Sequence, residues 1–201
     1  MSAATSRKEP LPAEEAARAY CYALISRFFF GPPDRALVEQ LLTIGENSDD
    51  TPLALAWRRL LQAARAADLD AVRQEYDGLF VGVGQAPVTL YTGHYAAPQA
   101  PDRHLVALRE ELVALNLGRG AQTGETEDHL SGVCDVMRWL IESGKSEAQQ
   151  RRFFQAFLEP AAGPWCEAIA GSPHADFYRT VTLFTKAFFN IESEAFQLME
   201  E

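Results

Sequence analysis

Residues 68–82, DLDAVRQEYDGLFVG, place Leu69, Val72, Tyr76, Leu79 and Phe80 three or four positions apart. That interval lines one face of an α-helix and fits no alternating strand. Asp68 supplies an N-cap, and helical periodicity stops after Phe80. On its own such a stripe is what an ordinary core face looks like. Gly78 inside it costs about 1 kcal/mol relative to alanine, which points to a close backbone approach or a functional need.

Working outward, the same period recurs on both sides. Toward the N-terminus, Ala17, Tyr20, Leu24 and Phe28 mark a helix from Glu14 to Phe30, ended by Gly31-Pro32-Pro33. Asp34 caps a second helix carrying Leu37, Leu41 and Leu42. Thr51-Pro52 opens a third with Leu53, Trp57, Leu60 and Leu61, whose alanine-rich end at Ala63 to Ala67 suits an exposed terminus. Toward the C-terminus, Asp102 is the expected cap of a helix with Leu105, Leu108, Leu112 and Leu115, ended by Gly118 and Gly120. Thr126 is the expected cap of another with Leu130, Val133, Met137, Leu140 and Ile141. Three more helical patterns run through Phe153, Phe154 and Phe157, through Trp165 and Ile169, and through Phe177, Val181, Phe184 and Phe188. No useful alternating strand interrupts them. The fold class is all-α, a globular multi-helix bundle.

Between Val81 and Pro101 the glycines and prolines break any period, so a long central loop is expected, a hinge or the rim of a binding site. Residues 1–12 are read as a flexible N-terminal segment and 13–201 as one helical domain with a hinge-like loop at 81–101. At 201 residues and 47% hydrophobic composition, the chain can bury a sizeable core.

Composition excludes several functions. A formal charge of −10 works against phosphate neutralisation, so no nucleic acid is expected, and an acidic surface favours a cationic partner. No stretch reaches the roughly 18 apolar residues of a membrane span, and Met1 to Pro10 carry no secretory h-region, so a cytoplasmic protein without membrane insertion is expected. Cys21, Cys134 and Cys166 lie far apart without a Cys-x-x-Cys pair and read as buried, reduced thiols. Gly82-Val83-Gly84 lacks the preceding strand and the following Gly-Lys-Ser of a phosphate loop.

The second polar motif is Glu127-Asp128-His129-Leu130. Acids in a first helical turn stabilise the positive end of the helix dipole by about 0.3 to 1 kcal/mol, which explains Glu127 and Asp128 without any ligand. His129 fits that account poorly, since a protonated imidazole is disfavoured there, and it is expected to be neutral. Catalysis by Asp128 and His129 would need a nucleophile and an oxyanion site, for which no candidate has recognisable spacing. A metal site would draw on Glu125, Asp128, His129 and His94 or His104, but paired Glu-x-x-His motifs are absent. No cofactor is expected.

Taken together, Glu75-Tyr76-x-x-Leu79-Phe80-Val81-Gly82, the loop aromatic Tyr91, Glu127-Asp128-His129-Leu130 and Phe177-Tyr178 resemble, in order and spacing, the TorD/DmsD/NarJ family of redox-enzyme maturation chaperones. The chain departs from that pattern at Gly124-Glu125-Thr126, where many relatives carry a proline before the acid. The resemblance implies an all-helical cytoplasmic chaperone without catalytic chemistry. Its implied partner is the twin-arginine signal peptide and the body of a molybdoenzyme catalytic subunit, held until its molybdopterin cofactor is inserted. Tyr76, Leu79, Phe80, Tyr91, Glu127, Asp128 and His129 would then line or border the peptide site. A homodimer is compatible with this picture. The competing classes are a metal-dependent hydrolase and a structural subunit of an oligomer.

Overall fold

A proline pair ends the first helix and turns the chain back on itself, because the residue before a proline is driven out of the helical region. In the computed structural model, which describes residues 10–46, 48–82, 86–118 and 124–198, helix α1 spans Ala13–Phe30 and gives way to Gly31 in an extended conformation. Helices α2 (Arg35–Ile44), α3 (Pro52–Ala66) and α4 (Leu69–Tyr76) follow, then α5 (Thr92–Ala96), α6 (Pro101–Ala114), α7 (Leu130–Glu142), α8 (Glu147–Phe157), α9 (Glu159–Gly171) and α10 (Phe177–Leu198). Among the described residues there is no strand, only an isolated antiparallel bridge between Tyr91 and His129. The chain is all-α. Residues 1–9 of the expected N-terminal segment, Val83 and Gly84 of the glycine pair, and the expected terminator Gly120 lie outside the described residues.

Three expected caps are in place. The Asp34 carboxylate accepts from the Leu37 N–H at 2.8 Å, Thr51 Oγ1 from Ala54 at 3.2 Å, and Asp68 from Asp70 at 3.0 Å. Two are corrected. Helix α6 starts at Pro101 after an uncapped Ala100, and Asp102 sits in its first turn, where its charge suits the dipole. Helix α7 starts at Leu130 and His129 is its N-cap; the Thr126 hydroxyl instead donates to Asp128 Oδ1 at 2.6 Å, holding a turn that precedes the helix. Glu127 and Asp128 therefore lie before the first turn of α7. The alanine-rich end of α3 is also only partly exposed, with Ala64 buried.

Helix α4 runs directly into a π-helical turn, Asp77–Val81, closed by the Gly82 N–H on Asp77 O at 2.8 Å. Gly78 lies in that turn, and among the described residues a Cβ there would meet nothing within 4 Å, so close backbone approach does not account for it.

The buried apolar side chains form one connected cluster drawn from α1 to α10. Helix α1 packs along α7, while α10 packs on α3 and α9. The Glu192 carboxylate, buried in α10, accepts from Arg18 Nε at 2.7 Å and from the Tyr22 hydroxyl at 2.8 Å, which fastens α10 to α1 without leaving a buried charge unpaired. Cys134 and Cys166 are buried and Cys21 half-buried, all unbonded. Burial pushes the Cys21 and Cys166 thiols up to about 12, so neither is a nucleophile at neutral pH.

Candidate functional site

The first motif closes the end of α1. The last carbonyls of a helix lack intrahelical donors, and here the Tyr76 hydroxyl donates to Phe29 O at 3.1 Å while the Tyr178 hydroxyl donates to Phe28 O at 3.0 Å. Phe80 meets Phe29, Tyr76 and Tyr178 edge-on, with ring centroids 5.9, 5.1 and 5.1 Å away. Glu75 caps α10, accepting from the N–H groups of Asp176, Phe177 and Tyr178 at 2.9, 3.0 and 2.8 Å. Glu75, Tyr76, Phe80 and Tyr178 thus join α1, α4 and α10. Leu79 is 0% exposed, Tyr76 is buried and Phe80 half-buried. Tyr76 and Leu79, expected to line or border the peptide site, are therefore core contacts.

The central connector, expected to be a long loop without a helix, contains one. Val88, Leu90 and Thr92 are buried, and α5 occupies its middle. A five-residue helix has no stability of its own, so tertiary bonds hold it. The Val88 N–H donates to Leu79 O at 3.0 Å, the Leu130 N–H to Leu90 O at 2.8 Å and the Thr92 N–H to Asp128 O at 2.8 Å. Gly93 allows the approach, since a Cβ there would lie 3.0 Å from Asp128 Oδ2 and 3.1 Å from Pro101 O. Periodicity could not reveal this segment because its pairing partner begins more than thirty residues later. The connector splints the two motifs together.

Where they meet, Glu125 is the shared residue. It accepts a hydrogen bond from the Tyr91 hydroxyl, which that bond and partial burial push up to about 12. Burial raises the Tyr76 hydroxyl to about 12, with the Glu125 charge adding to the shift. Burial lowers the His129 imidazole below its ordinary value against the pull of Glu125 and Asp128. His129 is thus neutral at pH 7, and its Nδ1, free of a proton, accepts from the Ser131 N–H at 3.4 Å and lies 2.8 Å from Ser131 Oγ. Asp128 is buried beneath the connector.

From this junction a groove of about 460 Å³ runs between the end of α6 and the exposed side of α7. Its apolar surface comes from Phe30, Leu112, Leu117, Val136 and Trp139, and its polar lining includes Glu125, Thr126, Glu127, His129, Ser131, Asp135 and Arg138. Phe30 is 63% exposed, unusual for a phenylalanine at the end of a core helix. Arg109 pairs with Glu127 at 2.9 Å and Arg138 with Asp135 at 3.4 Å, whereas Glu125 has no cationic partner among the described residues. The groove can therefore take an apolar segment and still offers a carboxylate to a cation. Of the seven expected site residues, Glu127 and His129 line it and Tyr91 reaches its rim through Glu125. Phe30, Leu117, Glu125 and Trp139 also line the groove and were not among the expected residues. A signal existed for Trp139, which shares a helical stripe with Val136 three positions earlier. Among the described residues no group of three or more His, Cys, Asp or Glu could hold a metal ion.

The sequence profile of the nitrate reductase delta subunit family matches residues 46–171. The chain belongs to that family. The matched segment contains both motifs, the connector and most of the groove. Membership in the nitrate reductase delta subunit family makes the chain a maturation chaperone of redox enzymes and sets it apart from catalytic families. A protein of Haemophilus influenzae (strain ATCC 51907 / DSM 11121 / KW20 / Rd), described only as uncharacterized, is 24% identical over 175 residues, covering 82% of this chain and 89% of its own. The crystal structure of a candidate redox enzyme maturation protein from Archaeoglobus fulgidus shares the fold, with a TM-score of 0.53 at 15% identity over 93% of this chain and 98% of that one. No helix among the described residues is long and apolar enough to cross a membrane.

Proposed function

We propose that this member of the nitrate reductase delta subunit family works in the cytoplasm, where it binds the twin-arginine signal peptide and the apo-form of a molybdopterin oxidoreductase catalytic subunit until the cofactor is inserted. The groove between α6 and α7 carries this proposal: an apolar trough ends at Glu125, a carboxylate without a cationic partner among the described residues. A signal peptide presents the matching sequence of features, two arginines and then an apolar run. Tyr91, Asp128 and His129 hold the acidic end in place, and Tyr76, Leu79 and Phe80 hold the helices behind it.

Energetics divide the labour. Ordering a disordered segment costs roughly 2 to 5 kcal/mol. Each large apolar side chain buried returns about 1.5 to 3 kcal/mol, and an exposed ion pair about 0 to 1 kcal/mol. The trough therefore supplies affinity, while Glu125 and Glu127 set orientation and encounter rate.

Calorimetric titration with a synthetic peptide of two arginines and a leucine-rich run tests this. Trp139→Ala is expected to weaken binding by about 1.5 to 3 kcal/mol. Glu125→Gln is expected to weaken it by about 1 kcal/mol or less and to flatten its salt dependence. A wild-type chain that ignores the peptide, or variants that both bind as wild type, would overturn the proposal.

A further inference from the structure

The wall of the groove contains a glycine that the fold does not require. Gly132 lies in the first turn of α7, three, four and seven positions before Asp135, Val136 and Trp139, so these residues share the stripe that faces the groove. Glycine is a poor helix residue. At Gly93 the packing explains it; at Gly132 it does not, because among the described residues an added Cβ would meet only Glu127 O at 3.5 Å, an ordinary contact, and the backbone is not left-handed. What the missing side chain leaves open is the trough itself, between the acidic end at Glu125 and the apolar end at Trp139.

We propose that Gly132 is the size-selecting position of the groove, the point where the main chain of the bound peptide crosses α7. This rests on the groove as the peptide site. The helical rise from Gly132 to Trp139 is roughly 10 Å, the length of about three extended residues. A peptide crossing at Gly132 thus directs a cationic side chain toward Glu125 and places apolar side chains against Val136 and Trp139. Any side chain at position 132 occupies the space its backbone needs.

The test uses the full chain with Gly132→Ala and Gly132→Phe, thermal melting of each, and titration with the synthetic diarginine, leucine-rich peptide. G132F is expected to melt no earlier than wild type and to bind at least about 10-fold more weakly, the ratio that corresponds to 1.4 kcal/mol. G132A is expected to melt slightly later and to bind about 2- to 5-fold more weakly. If wild type binds and folded G132F binds equally well, the assignment of Gly132 falls while the groove stands. If wild type itself does not bind, the groove proposal falls and takes this one with it. Should G132F melt early, G132A decides: unchanged affinity overturns the assignment, and a loss of about 2-fold or more supports it.

Discussion

Glu75 caps the helix that begins beside Tyr178: its carboxylate accepts from the Tyr178 backbone N–H at 2.8 Å, across 103 residues of chain. Charge-assisted capping of orphan N–H groups stabilises a helix start by about 0.5 to 2 kcal/mol. Glu75→Ala is expected to lower unfolding free energy by about 1 to 2 kcal/mol in urea titrations, and Glu75→Gln to recover part of that because its amide oxygen still accepts. Wild-type stability in both variants would contradict the capping role.

The paired tyrosines make a second case. Tyr76→Phe and Tyr178→Phe each strand a carbonyl at the end of α1 and are expected to cost about 1 to 3 kcal/mol. Their rings lie 5.6 Å apart, so the double variant should depart from the sum of the singles. Leu79→Ala, fully buried, should cost about 2 to 5 kcal/mol by leaving a cavity. Its effect on peptide binding would follow from unfolding, which makes it a poor probe of the groove.

Glycines separate packing from propensity. Gly93→Ala presses a Cβ against the backbone oxygen of Pro101, which cannot yield as a flexible side chain would, and is expected to destabilise by about 1 to 3 kcal/mol. Gly78→Ala meets no described residue within 4 Å and should instead be neutral or stabilise by up to about 1 kcal/mol. Thermal melts of the two variants should therefore move in opposite directions or leave only Gly93→Ala shifted.

Acid sensitivity follows from the two buried histidines. Burial lowers the folded-state pKa of His129 and His104 below 6.5, against the opposing charge of Asp128 at both and of Glu125 at His129. The unfolded chain then binds more protons between the lowered values and 6.5, so stability is fully present above that pH and falls as pH drops through it. Urea midpoints should decrease from pH 7.5 to pH 5.5, and His129→Gln should shallow that decrease. A midpoint rising over this interval would show that the histidines are charged in the folded state.

Local signals made much of the fold legible. Helices α1 to α4 announce themselves through apolar spacing, and Asp34, Thr51 and Asp68 cap where they stand because a cap needs only its own backbone three residues on. The helix cap assigned to Thr126 failed because its hydroxyl found Asp128 instead, and the helix begins later, where Leu130 is tied to Leu90. The connector looked open because its order comes from distant partners. The Tyr76 stripe resembled both a core face and a binding face, since the same spacing serves either; only the positions of Phe29 and Tyr178 around it decide that it is core.

Helical periodicity, punctuation by glycine and proline, net charge and the order of the two motifs are properties of the chain itself, and they were enough for an all-α class and a family. Which apolar residues remain uncovered depends on how far the end of α6 stands from α7, a distance that no local pattern encodes. Phe30, Leu117 and Trp139 are exposed or half-buried for that reason, and Glu125 gains its place because the connector brings Tyr91 to it. The motifs mark the joints of the molecule, and the groove arises in the space those joints hold open.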